Sequence, residues 1–194
     1  MGRKQSITKE MLVSEGLQIL REIGPHGLTA NIVAKRLNCS TQPVKYHFGV
    51  IEDYRNAVYY EAYMFLKDTI EDWVFEGSIG NAAFCFVKFA HEEPNVYNFL
   101  FTNTKFIDTN VFQLTSDYSV VWFMEKVLED FTLEEGEEAW CYEHVFYFLH
   151  GLSKYVADNP AFPFVDEEIK IKISQHLAGI NLAFNKKRLI IDED

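Results

Sequence analysis

LTANIVAKRLNCSTQPVKYHF, residues Leu28 to Phe48, carries the spacing of two short helices joined by a tight turn. Thr29 is an N-cap, because its hydroxyl can accept a backbone N–H at a helix start. Leu28 before it and Val33 after it can pack as a hydrophobic staple. Ile32, Val33 and Leu37 form an apolar stripe, and Ala34 is small enough for a second helix to cross close by. Asn38 falls where the first helix must stop, since Asn tolerates the left-handed conformation better than most residues. Ser40 is the expected N-cap of the second helix, which turns Val44 and Phe48 to one face. A capped helix, a small residue, a left-handed position four later and a second capped helix form the pattern of a helix-turn-helix.

An ordinary helical hairpin in a core would share that spacing. The second helix departs from it in composition, carrying Thr41, Gln42, Lys45, Tyr46 and His47 within about two turns. All five can donate or accept hydrogen bonds. A helix serving only to pack would not need so many around one buried edge.

The 194 residues suffice for one large helical domain or a small domain on a larger one. Hydrophobic residues make up 48% and aromatics 15%, with 17 Phe and 10 Tyr, so a sizeable core can be buried. No apolar run approaches about 20 residues, so no transmembrane helix is expected. The beginning, MGRKQSITKE, is not a signal peptide. Cys39, Cys85 and Cys141 are odd in number and far apart, which fits buried thiols in a reducing cytoplasm. The net charge of −11 is unevenly spread: residues 1–60 hold 8 Lys+Arg against 5 Asp+Glu, and the remainder holds 10 against 24. A basic end on an acidic body implies that only that end meets phosphates. An acidic, solubilising surface is the plainer reading of the same numbers, and the two are compatible.

Arg3 and Lys4 open a polar arm, and Thr8 caps a first helix whose Leu12, Gly16, Leu17, Leu20 and Ile23 share one apolar face. Gly24-Pro25-His26-Gly27 stops it. After Gly49, Glu52 and Asp53 open a long fourth helix to about Glu76, with Tyr54, Ala57, Val58, Ala62, Phe65, Leu66, Thr69 and Trp73 inward. Ala82 to Ala90 is apolar on nearly all sides and predicts a central helix, ended near Pro94. A short helix to Phe101 and another over about Val111 to Asp130 follow. Two long helices close the chain, about Glu137 to Ala157 and Asp166 to Lys187. Ile169, Ile173, Leu177, Ile180 and Phe184 form a stripe on the last, and Lys186, Lys187 and Arg188 suit its C-terminal dipole. Small residues in their seam (Gly151, Ala178, Gly179, Ala183) allow pairing with a second copy about a two-fold axis. No internal repeat and no persistent alternation is present, so the fold class is all-α.

The three-helix beginning and the opening of the fourth helix, roughly Ile7 to Tyr60, resemble the tetracycline-repressor (TetR) family of bacterial transcriptional regulators. The resemblance rests on LTANIVAKRLNCS, on STQPVKYHF, and on the acidic pair opening the long helix; HGLSKY, His150 to Tyr155, adds a weaker likeness. Members usually have Gly where Asn38 stands, often Tyr at Lys45, and many have a phosphate-reaching Lys where this chain has Ile51. Pro43 falls in the first turn of its helix, where N–H groups lack intrahelical partners anyway.

The resemblance implies an N-terminal three-helix DNA-binding domain at 1–50 and a C-terminal helical effector-binding and dimerisation domain at 51–194. It implies a cytoplasmic homodimer, paired through the last two helices, that places two recognition helices in successive major grooves of a palindromic operator. Thr41, Gln42 and Lys45 then become base-edge candidates, since Gln pairs with adenine and Lys with guanine. Thr29, Ser40, Tyr46 and His47 become phosphate candidates. The C-terminal body would hold a pocket for a small apolar effector, neutral or cationic given the acidic surroundings. Its candidate walls are Phe84, Phe101, Phe106, Trp122, Phe123, Tyr142 and Phe146, with His144 and His150 orienting the ligand. The same aromatics would also fill a solid core. Effector binding would alter the spacing of the two DNA-reading units through the fourth helix. Repression and activation are both compatible with this scheme.

No GxSxG, phosphate-binding Gly loop, HExxH or paired CxxC occurs, so no enzyme and no cofactor is expected. Cys141 and His144, with Glu143 or His150, form a one-turn coincidence of nucleophile and metal-ligand types. A helical small-molecule-binding or protein-interaction protein that does not read DNA is the alternative.

Overall fold

Thr8 and Thr29 each open a helix by accepting a backbone hydrogen bond at the third helical residue, Thr8 Oγ1 from Met11 N at 3.2 Å and Thr29 Oγ1 from Ile32 N at 3.3 Å. In a computed structural model describing residues 6–75, 81–101, 131 and 133–191, these helices are α1 (Lys9–Ile23) and α2 (Ala30–Arg36). They are followed by α3 (Gln42–Phe48), α4 (Ile51–Phe75), α5 (Asn81–Glu92), α6 (Pro94–Phe101), α7 (Glu138–Asp158) and α8 (Asp166–Ile191). Among the described residues there is no strand, and the chain is all-α. No helix among them is long and apolar enough to cross a membrane. The helix expected over about Val111 to Asp130 lies outside the described residues, as do the side chains of Lys186, Lys187 and Arg188.

The chain divides into two compact units, one of Met1–Asp68 with Glu93–Leu114, the other of Thr69–Glu92 with Thr115–Asp194. In the first, α1 packs against α2, α3 and α6. Its core is Leu12, Ile19, Leu20, Leu28, Val33, Tyr54 and Val58, with Tyr97 and Phe99 from α6. Tyr54 Oη donates to Leu12 O at 3.3 Å, and its ring meets Phe48 edge-on at 5.3 Å. Gly24, with φ +86°, ends α1 and donates its N–H back to Leu20 O at 2.9 Å. Ile23, expected on the buried face of α1, is instead 52% exposed. It sits in the last turn before that break, and Ile19 takes the interior position with Leu20.

The inward stripe expected on α4 is broader than its spacing suggests, because Tyr59, Tyr63 and Ile70 are buried as well. Tyr59 Oη donates to Leu100 O at 3.2 Å, so α6 covers a second side of this helix. Arg21 ties α1 to the start of α6: its Nε donates to both Glu93 carboxylate oxygens at 3.0 and 3.1 Å, and Asn95 Nδ2 donates to Arg21 O at 2.9 Å.

In the second unit, α5 is the central helix that its apolar run predicts, with Ala82, Phe84, Cys85, Phe86, Val87, Phe89 and Ala90 all buried. It packs against α7 and α8. Ile169, Ile173 and Phe184 of α8 face inward, as their spacing requires. Gly151, Ala178, Gly179 and Ala183 lie exposed, and a Cβ on Gly151 or Gly179 would meet nothing within 4 Å.

Candidate nucleic-acid interface

The turn between α2 and α3 is fixed by its backbone hydrogen bonds. Cys39 N donates to Ala34 O at 2.9 Å and Asn38 N donates to Lys35 O at 3.2 Å. With Asn38 at φ +49°, these two bonds form a Schellman motif, the usual way to satisfy the last carbonyls of a helix. Asn38 therefore occupies the left-handed position that the sequence assigns to it.

α3 begins at Gln42 with Thr41 at its cap, not with Ser40. No side chain caps it. For Ser40 the reason is Pro43, three residues on, where the N–H that Thr8 and Thr29 cap in their own helices is missing; Thr41 has helical backbone (φ −74°, ψ −9°) in place of the extended conformation of those two caps. Ser40 instead lies exposed in the link, its carbonyl accepting from Cys39 Sγ at 3.3 Å.

Two residues hold α3 down: Val44 and Phe48 are 4% and 8% exposed. Thr41, Gln42, Lys45 and Tyr46 are all exposed, Tyr46 to 84%. At about 100° per residue Gln42 and Tyr46 lie opposite the edge of α3 that carries Val44 and Phe48, Lys45 flanks that edge, and Thr41 at the cap stands close to it in angle. The two remaining candidates have structural partners. Thr29 Oγ1 caps α2, as above. His47 is half-buried with Nε2 3.0 Å from Ile7 O, and with its proton on Nε2 it donates to that carbonyl.

Charge on the three helices is sorted by the same packing. Arg36 reaches from α2 to α1, its Nε 2.7 Å from Glu15 Oε1 and its Nη1 2.7 Å from Glu22 Oε2. Those carboxylates raise the Arg36 pKa, and Arg36 in turn lowers that of Glu22. Arg21 is paired with Glu93. Lys35 and Lys45 are exposed and form no ion pair among the described residues, whereas Lys9 lies over the Phe48 ring at 5.3 Å. Among the described residues, Lys35 and Lys45 are thus the exposed cations of α2 and α3 left without an ion pair.

Of the effector candidates, Phe106, Trp122 and Phe123 lie outside the described residues. Phe101 belongs to the first unit and is half-buried; Phe84 is buried in the second. Tyr142, Phe146 and His150 come together on α7. Tyr142 stacks on Phe146 at 6.1 Å and Phe146 on His150 at 5.5 Å, with interplanar angles of 4° and 6°. Burial raises the Tyr142 pKa; burial first, then Lys154, lowers that of His150. His144 is not part of this group: it is exposed, with Nδ1 2.9 Å from Trp140 O.

Ser153, one turn beyond His150, was not among the residues expected from sequence. It is fully buried, and among the described residues its Oγ has no hydrogen-bond partner. Such a group costs about 1–3 kcal/mol. No sequence signal marks it, since serine in a helix ordinarily bonds the carbonyl one turn back.

Cys141 is buried while Glu143 and His144 are exposed, so the one-turn coincidence does not assemble. No cluster of three or more His, Cys, Asp or Glu positioned to hold a metal occurs among the described residues. Neither a scan against protein-family models nor a search of curated proteins finds a match to this chain.

Proposed function

We propose that this chain is a DNA-binding transcriptional regulator of the tetracycline-repressor type, a ligand-responsive repressor that acts as a homodimer on a palindromic operator. The observation that carries the reading is the two-sided character of α3. Val44 and Phe48 are buried, while Gln42 and Tyr46 stand in solvent on the opposite side, with Lys45 exposed on the flank and Thr41 exposed at the cap. A seven-residue helix held by two apolar side chains and bearing three exposed polar ones, with Thr41 exposed at its cap, fits a major groove about 12 Å wide.

In this reading Gln42 pairs with an adenine edge and Lys45 with guanine O6 or N7. Thr41 lies beside them at the start of the helix, and Tyr46 reaches a phosphate. Ser40, exposed in the link, is free to do the same. Thr29 keeps its capping bond and offers its hydroxyl proton to a phosphate. His47 holds α3 against the chain before α1. Lys35 and Lys45 supply unpaired positive charge.

A second copy of the chain is the partner proposed for α7 and α8. Tyr147 and Tyr155 on α7 are 62% and 57% exposed, and Ile171 and Leu182 on α8 are 54% and 53% exposed. The exposed small residues Gly151, Ala178, Gly179 and Ala183 lie among them, which suits close helix approach. A closed two-fold pair would set the two α3 helices on half-sites about 34 Å apart or somewhat more. The small apolar effector would bind in the second unit, on the aromatic face of α7.

Titrating a fluorescent random-sequence duplex with the purified protein at increasing salt tests this reading. Binding that falls steeply with salt is expected, because phosphate contacts release counterions. No binding at about 50 mM salt, or a chain that sediments as a monomer, would count against it.

A further inference from the structure

His47 reaches the chain ahead of α1, its Nε2 standing 3.0 Å from Ile7 O. At about 100° per residue, His47 and Lys45 flank the buried edge of α3 on opposite sides, with Gln42 and Tyr46 across the helix between them. Ile7 is therefore held at one margin of the exposed residues of α3. Lys9 joins the same helix, its Nζ over the Phe48 ring at 5.3 Å. Thr8 caps α1 with extended backbone (φ −93°, ψ 166°), and Ser6 is exposed. Arg3 and Lys4 precede Ser6 by three and two residues.

Cations for a phosphate backbone are few in this unit. Of the 8 Lys and Arg in residues 1–60, Arg21, Arg36 and Arg55 are ion-paired and Lys9 lies on Phe48. Lys35 and Lys45, without ion pairs among the described residues, give a two-fold pair four cations. A strongly salt-dependent DNA binder makes about six to ten phosphate contacts. Arg3 and Lys4 bring the number to eight.

We infer that the segment ahead of α1 is a second DNA-contacting element, anchored beside α3 by the hydrogen bond from His47 to Ile7, and that Arg3 and Lys4 contact phosphates flanking the bases that α3 reads. Four residues separate Ile7 from Arg3, at most about 14 Å of extended chain, a length over which duplex DNA carries about eight phosphates. The competing destination for the two cations is the acidic remainder of the chain, with 10 Lys+Arg against 24 Asp+Glu. This inference rests on the DNA-binding and dimer parts of the reading above and is independent of the effector.

The fluorescent-duplex titration, with log Kd plotted against log salt, tests it on the full chain. The double variant Arg3→Ala, Lys4→Ala should flatten the slope of the dimer by about 3–4, since each phosphate contact contributes about 0.9. His47→Phe keeps a ring and removes the donor. It should flatten the slope by a similar amount, and adding it to the double variant should flatten it no further. His47→Gln, whose amide can donate to Ile7 O, should restore the wild-type slope. A wild-type slope in the double variant would overturn the phosphate contacts and assign the two cations to the acidic remainder. A flattened slope there, with the wild-type slope in His47→Phe, would overturn the anchoring by His47. A slope as flat in His47→Gln as in His47→Phe would overturn it too, by showing that the hydrogen bond is not what counts. A wild-type chain that binds no duplex would instead overturn the DNA-binding reading itself, before any variant is compared.

Discussion

Gly16 of α1 meets Val58 of α4 with no room for a side chain. A Cβ at position 16 would stand 2.4 Å from Val58 Cγ2 and 2.5 Å from Tyr54 Oη. Both neighbours are fully buried, so neither can swing aside. Gly16→Ala should therefore destabilise the first unit. Overpacking costs about 1–3 kcal/mol, here at the upper end of about 2–3 kcal/mol because two atoms stand well inside contact distance, and alanine returns about 1 kcal/mol in helix propensity, for a net loss of about 1–2 kcal/mol. Urea unfolding at equilibrium measures it. A midpoint that holds or rises would show that α1 and α4 do not approach in this way.

Asn38 holds φ +49° at the end of α2. Glycine adopts that conformation without steric cost, and a β-branched residue does so only under strain. Asn38→Gly should raise stability by roughly 0.5 kcal/mol, and Asn38→Val should lower it by about 1–2 kcal/mol. The pair of denaturation curves tests the turn itself, because the two substitutions move stability in opposite directions only if position 38 is left-handed.

The three thiols should separate by reactivity. Burial pushes the Cys85 and Cys141 thiols up to about 11, whereas Cys39 is partly exposed in the α2–α3 link. Only the thiolate attacks a disulfide reagent, so one thiol should react quickly at pH 8 in the folded chain and three in denaturant. Two or three fast thiols in the folded state would contradict the packing of α5 and α7.

The same burial gives stability an alkaline limit. Tyr59 is pushed up to about 12, and burial followed by the charge of Glu15 raises Tyr54 further. These groups and the two buried thiols hold their protons more tightly folded than unfolded. Their contribution is thus fully present below the unfolded values, near 8.5 for Cys and 10 for Tyr, and is lost as pH climbs through the folded ones. Unfolding free energy should stay level to about pH 8 and then fall toward pH 12. Chemical denaturation at fixed pH values checks the direction; stability that rises across that interval would be incompatible with buried phenols and thiols.

Much of the first unit could be read from the sequence because the signals are local. Thr8, Thr29 and Asn38 each act within three or four residues of themselves, and the structure has all three in the roles their types suggest. Ser40 caps nothing because Pro43, three residues on, lacks the N–H that such a cap would serve. Ile23 and Tyr59 depart from helical spacing for a different reason: their exposure depends on where Gly24 turns the chain and on α6 covering α4, and neither is a property of the helix that carries them. The polar side of α3 was legible as composition. The stacking of Tyr142, Phe146 and His150 was legible only as spacing. The missing partner of Ser153 was not legible at all, since an unmade hydrogen bond leaves no mark in a sequence.

In the proposed function, the exposed residues of α3 read base edges. Repeated selection of duplexes from a random-sequence pool, with the wild-type chain and Lys45→Ala in parallel, tests it most directly. The wild type should enrich one palindromic sequence, and Lys45→Ala should bind that sequence about 1–3 kcal/mol more weakly and lose discrimination at one base pair in each half-site. A wild-type pool that stays random after selection, or a Lys45→Ala pool with the same sequence at the same affinity, would contradict the account.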